Sequence, residues 1–393
     1  VKIAEIGEFG LIRRFAPRFL RDLPPGTAGI GDDCAILPWT GSRRLLVTTD
    51  MLVEGTHFLR AKIPARDLGH KSLAVNLSDI AAMGGRPVAV FLSLGIPEDV
   101  DVAWLDAFFA GLRALARREG VSLLGGDTTR SPGPLVINLA VLGEAKAGRI
   151  KLRSGARPGD AICVTGDLGD SGAGLRVILD ERQQELDLDL GSRSSGVPRG
   201  YAPLVAGRDS YPAREGGQGS RVSRRPLEGN AKRSPQIDGR PRTRDEAALV
   251  RSHNRPRAHL AEGAWLAGRA AVTAMMDVSD GIDSDLRRIM ERSRCGAAVN
   301  LDALPLSGAL RRTARRRGWE ARELAAAGGE DYCLLVAVRR DEAAATARAF
   351  ERTFGRPLVR IGTITAEKDG MRYFAGGKLA ELRNRGFDHF QTS

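Results

Sequence analysis

Strand-like and helix-like stretches alternate along both halves of this 393-residue chain, and that alternation limits it to an α/β architecture. "RLLVTTD" (44–50) is an apolar run that ends in an acid, as a buried strand leaving the core does. "LGHKSLAVNLSDIAAMG" (68–84) has helical length and stops at paired glycines, and "VAVFLSLGIP" (88–97) is a strand closed by Pro97. "VAWLDAFFAGLRALARREG" (102–120) is amphipathic with a glycine stop. "VSLLGGDTT" (121–129) and "LVINLAVLGEA" (135–145) are further strands. The alternation resumes with "VTAMMDVSDGIDSDLRRIMERS", "LAAAGGEDYCLLVAV" and "PLVRIGTIT". Two sheets follow, with an N-terminal domain over 1–147 and a C-terminal domain over 148–393.

One segment breaks the pattern. Between Gly191 and Arg244, 22 of 54 residues are Gly, Pro or Ser, and neither helical nor strand periodicity is present. Such a composition cannot bury enough apolar surface to offset its chain entropy. It is expected to be a disordered basic insert at about 183–246. The segment carries a net charge of +8, so the overall +12 leaves only +4 for the rest of the chain. The basic balance therefore gives no general case for nucleic acid. The insert has two aromatics, Tyr201 and Tyr211, and no base-reading module. No apolar run reaches the roughly 20 residues of a membrane span. Cys34, Cys163, Cys295 and Cys333 are far apart with no CxxC pair, which fits reduced thiols of a cytoplasmic protein better than a disulfide framework.

The chemistry lies in five places where aspartate sits beside glycine or at a strand end. These are "GIGDDCAIL" (Asp32, Asp33), "VTTDMLVEGTHF" (Asp50), "NLSDIAAMGG" (Asp79), "LLGGDTT" (Asp127) and "MMDVSDGIDSDL" (Asp277, Asp280). Singly, each is an ordinary turn or helix cap. Jointly, they supply the hard oxygen ligands by which Mg²⁺ joins a protein to phosphates, with Thr48 and Thr49 hydroxyls beside them. Asp79 is the odd member, a carboxylate flanked by Leu77, Ile80, Ala81 and Ala82. Burial there is costly unless the group is paired or ligates a metal.

Taken in this order, the motifs resemble the thiamine-monophosphate kinase family. That family belongs to an ATP-binding superfamily with aminoimidazole ribonucleotide synthetase and selenophosphate synthetase. The resemblance runs through "GEFGLI", "GIGDDCAIL", "TTDMLVEGTHF", "KSLAVNLSDIAAMG", "GGDTTR", "RSGARPGD", "DVSDGIDSDL", "GGEDYCLL" and "GFDHF". It implies the two-domain aminoimidazole ribonucleotide synthetase type of fold, each domain a mixed sheet with helices. It also implies a cytoplasmic homodimer that transfers the γ-phosphoryl of ATP to thiamine monophosphate. Asp33, Thr48, Thr49, Asp50, Asp79, Asp127, Asp277 and Asp280 would hold several Mg²⁺ ions. Gly126, Asp127, Arg153 and Ser279 would contact ATP, and His57, Glu330 and Phe387 the thiamine phosphate. The acceptor is already an ionised phosphate, so no general base is expected.

The chain departs from the family in three places. The insert replaces a short connection, Arg255–His259 reads Arg-Pro-Arg-Ala-His instead of Pro-x-Pro-Arg, and "GGEDY" is preceded by Ala327 and followed by Cys333. Two alternatives are weighed against the kinase. One is another ATP-dependent synthetase of the superfamily, although a selenophosphate synthetase needs an N-terminal reactive Cys and the first here is Cys34. The other is a non-catalytic nucleic-acid binder using the insert.

Overall fold

The computed structural model describes residues 3–21, 23–192 and 242–382. The ends of the insert expected to be disordered over about 183–246 are instead ordered, since one helix runs on to Ser192 and the next starts at Arg244 with Thr243 as its cap. Residues 193–241 and the "GFDHF" motif with Phe387 lie outside the described residues.

After helix α1 (Ile3–Phe19), the N-terminal half comprises β1 (Ala35–Pro38), β2 (Arg43–Val53), α2 (Ala65–Ala82), β3 (Arg86–Ile96), α3 (Val102–Glu119), β4 (Ser122–Arg130) and β5 (Val136–Lys146). The strands form one mixed sheet in the order β1-β2-β5-β3-β4. Only β3 and β4 run parallel, joined by the α3 crossover. In β2, Leu46, Thr48 and Leu52 face inward, while Thr49 and Met51 face out. Both helices cover the same face of the sheet, with Leu46, Leu68, Leu73, Leu77, Phe108, Leu112, Ile137 and Val141 as the core.

The C-terminal half begins with β6 (Ala161–Val164) and α4 (Asp170–Ser192), then α5 (Arg244–Asn254), α6 (Leu260–Ala267), β7 (Val272–Asp277), α7 (Ile282–Ser293) and β8 (Cys295–Asn300). It ends with α8 (Gly308–Arg317), α9 (Ala321–Ala327), β9 (Leu334–Val338), α10 (Ala343–Phe354), β10 (Val359–Ala366), β11 (Met371–Ala375) and β12 (Lys378–Ala380). Seven strands pair in the order β12-β11-β8-β10-β6-β9-β7, and only β8 and β11 are parallel. Helix α5 resumes the fold after the insert with its own start signal. Thr243 caps it by accepting from the Glu246 N–H, and the Glu246 carboxylate answers the Thr243 N–H in a capping box.

The halves meet on α2. Ala81 and Ala82 at its C-terminal end share a core with Leu266, Met275 and Phe350 of the second half. The close approach requires glycine. A Cβ on Gly263 of α6 would lie 2.1 Å from the Ala81 carbonyl oxygen, and one on Gly69 of α2 would lie 1.9 Å from the Phe108 carbonyl oxygen. Helix α2 is thus buried on nearly every side. A carboxylate can be presented from such a helix only into a gap between the two sheets.

Candidate active site

That gap is lined by loop and strand ends from both halves. Asp33 precedes β1, Thr48 and Asp50 lie on the inward side of β2, and Ser78 and Asp79 come from α2. Asp277 ends β7, and Asp280 follows in the turn before α7. One carboxylate oxygen from each of Asp33, Asp79 and Asp277 lies within 4.8 Å of the others. Thr48 donates to Asp79 at 2.5 Å, Ser78 donates to Asp277 at 2.6 Å, and the Asp50 N–H is held by the Asn76 amide oxygen at 3.0 Å.

So many acids in one dry space repel one another. Burial, then the Asp280 charge, pushes Asp50 up to about 6. Burial, then the Asp33 charge, pushes Asp277 up to about 7. Asp79 is driven well above the carboxylate range by burial and by Asp50 and Asp277. Arg153 supplies some relief. Its guanidinium donates to Asp33 at 2.7 Å while its backbone N–H donates to Asp32 at 2.7 Å. The Asp33 Oδ2 atom nevertheless remains buried with no hydrogen-bond partner. Oxygen-only donors, mutual repulsion and an orphaned carboxylate oxygen are what a site for a hard divalent cation presents.

Other expected site residues are placed differently. The Thr49 hydroxyl lies on the opposite face of β2, where it donates to Asn138 at 2.9 Å, so of the two threonines Thr48 is the one whose hydroxyl reaches the acids. Gly126 and Asp127 are in the exposed strand β4, beyond the triad. Gly126 (φ +156°) is tight against β3, where a Cβ would lie 1.7 Å from the Leu92 carbonyl oxygen. His57 accepts the Val53 N–H at its Nδ1 (3.0 Å), which leaves its proton on Nε2.

Glu330 has partners that sequence reasoning missed. Lys71 Nζ donates to its carboxylate at 2.9 Å and His253 Nδ1 lies 3.1 Å away. Burial alone would raise this carboxyl, but Lys71 and then His253 outweigh it and hold it well below the usual range. Arg288 and Asp285 were missed as well. Arg288 pairs closely with Asp280, and Asp285 accepts the Asp280 N–H at 3.0 Å. The available signal was Lys71 itself, a charge inside an apolar helix, which required a buried counter-charge. All four cysteines are free and buried, and burial drives the Cys34 thiol well up, so none is an activated nucleophile.

An acid-lined cleft between two mixed α/β sheets defines a class. Residues 31–145 match the N-terminal domain of the AIR synthase related proteins, and residues 227–373 match their C-terminal domain. The chain is 36% identical to the thiamine-monophosphate kinases of Salmonella typhimurium and Escherichia coli, over 98% of its own length and 99% of theirs. The solved complex "AaThiL complexed with AMPPCP and TMP" superposes with a TM-score of 0.70 at 28% identity, covering 99% of both chains. The Stenotrophomonas maltophilia thiamine-monophosphate kinase superposes with a TM-score of 0.63 at 33% identity, over 95% of this chain and 98% of that one. This chain belongs to the thiamine-monophosphate kinase family.

Proposed function

We propose that the chain transfers the γ-phosphoryl group of ATP to the phosphate of thiamine monophosphate, giving thiamine diphosphate and ADP. The observation that carries this reading is the Asp33–Asp79–Asp277 cluster at the junction of the halves, in a chain related to these kinases along its whole length. An acceptor phosphate oxygen attacks the γ-phosphorus in line, and the bond to the β-phosphate oxygen breaks. The acceptor is ionised at neutral pH and needs no base. The barrier is electrostatic and positional, because two polyanions must be brought together.

Asp33, Asp50, Asp79, Asp277 and Asp280, with Thr48, would hold Mg²⁺ ions, and Asp127 would hold another on the ATP side. Bound there, the metal supplies positive charge against the phosphates. The protein's own groups do the rest. Arg153, Gly126 and Ser279 orient ATP, while His57, Glu330 and Phe387 grip the acceptor.

Residues 1–147 and 148–393 act as two domains of one cytoplasmic enzyme. It pairs as a homodimer through the outer face of the first sheet, where Met51 is 55%, Leu124 65% and Phe91 40% exposed. Incubation with ATP, Mg²⁺ and thiamine monophosphate is expected to yield thiamine diphosphate, with Asp50→Asn nearly inactive. Absence of product from the parent chain would overturn the assignment.

A further inference from the structure

The "GGEDY" loop is held in an unusual conformation. Glu330 (φ 63°) and Tyr332 (φ 50°) both lie in the left-handed region, which a non-glycine residue adopts only at a steric cost. Such strain persists only where surrounding contacts over-determine it. Those contacts are present. The Glu330 N–H donates to the Ser279 carbonyl at 2.6 Å and the Tyr332 N–H to the Val278 carbonyl at 2.8 Å. Asp331, between them, accepts from the Gly169 N–H at 2.7 Å and from the Ser171 N–H at 3.3 Å. The loop is therefore fastened to the turn linking Asp277 and Asp280.

The side chain of Glu330 is fastened separately. Lys71 from α2 and His253 from α5 approach it from behind, and Ser171 lies 3.1 Å from the same His253 Nδ1. The exposures are lopsided. The Lys71 side chain is 0% exposed, whereas Glu330 keeps 24%. The cation is hidden and the anion keeps its contact with solvent, so the pair presents its negative end.

We propose that Lys71 and His253 are positioning residues for the acceptor site, fixing the Glu330 carboxylate as an outward-facing anion that selects phosphate acceptors carrying a cationic ring over neutral ones. The inference rests on the kinase reading and on Glu330 facing the acceptor, and it assigns the specificity to two residues that need not touch the substrate. A buried ammonium has no better use for its charge than to compensate one carboxylate, and a carboxylate held in this way cannot turn aside or take up a proton easily.

The test is calorimetric binding to the full chain of thiamine monophosphate and of its neutral isostere in which carbon replaces the quaternary ring nitrogen and the pyrimidine is kept, with an ATP analogue as control. The parent chain is expected to favour the cationic acceptor by about tenfold or more. Lys71→Met, His253→Gln and Glu330→Gln are each expected to lose that preference while binding the ATP analogue normally. The double variant Lys71→Met/Glu330→Gln removes both charges. It is expected to match Glu330→Gln alone, because Lys71 acts only through Glu330. Should Lys71→Met not fold, this double variant and His253→Gln still decide the matter. Retained preference in His253→Gln or a folded Lys71→Met, or a further loss in the double variant, overturns the inference. A parent chain that binds both acceptors equally also overturns it. Failure of the parent to bind thiamine monophosphate at all would instead strike the kinase reading.

Discussion

Asp79 stands in a helix that is otherwise almost wholly buried, and its oxygens meet Thr48 and two other carboxylates instead of a counter-charge of their own. Truncating it to Ala removes a donor that no neighbour can replace. Steady-state turnover of Asp79→Ala is expected to fall by about a hundredfold or more, with the fold retained by circular dichroism. His259 gives a residue-scale prediction about stability. Its Nδ1 takes a hydrogen bond from Thr165 at 2.7 Å and faces Arg356, which can only donate, so the ring is neutral. Burial, then Arg356, lowers it from 6.5 to about 3. A depressed histidine contributes stability that is complete above its unfolded value and is lost as pH falls from about 6.5 toward 3. His259→Gln is expected to flatten that part of the melting-temperature profile, and an unchanged slope would show that other groups set it. At this scale the aspartates were legible because glycine and strand ends flag them. The roles of Lys71 and His253 were not, because each depends on a partner distant in sequence, and Lys71 and Glu330 are 259 residues apart.

Among the elements, β2 shows how alternation sorts neighbours. Thr48 and Thr49 are equivalent as letters, but the period of two sends one hydroxyl to the acids and the other to Asn138. Helix α2 was legible as a helix from its length and glycine stop. Its burial on both flanks was not, since that depends on α3 and α6 arriving at glycines. Because Gly263 lies so close to the Ala81 carbonyl, Gly263→Val should force α2 and α6 apart. The expected cost is about 1–3 kcal/mol by denaturant titration, with a matching loss of activity as Ser78 and Asp79 shift. Normal stability would mean the helices can separate without penalty.

For the whole molecule, the strand-helix alternation made the two mixed sheets legible, whereas their pairing order depends on contacts no local pattern encodes. Helices α4 and α5 flank the insert and are tied directly, with Arg242 paired to Glu181 at 2.7 Å and Thr243 capping α5 from within the described chain. Replacing residues 193–241 by a short flexible linker is therefore expected to leave kinase activity intact, because closing such a connection costs little entropy. Loss of folding on that change would assign the insert a structural role. The outer face of the first sheet makes a separate prediction. Leu124→Asp is expected to shift the sedimentation coefficient from dimer to monomer, and an unchanged value would remove that face from the interface.

Helix α2 carries Lys71 in its N-terminal half and Ser78 and Asp79 near its C-terminal end, seven and eight residues further on. Two turns of helix, about 11 Å, thus separate the partner of Glu330 from the groups that meet the acid cluster. The helix works as a ruler, and its graduations are single residues. One residue added between Lys71 and Ser78 would turn the far end by about 100° and point Asp79 into packed side chains. Some fifty residues between α4 and α5 leave both helices in place, whereas a single residue added to α2 is expected to displace the acids it carries.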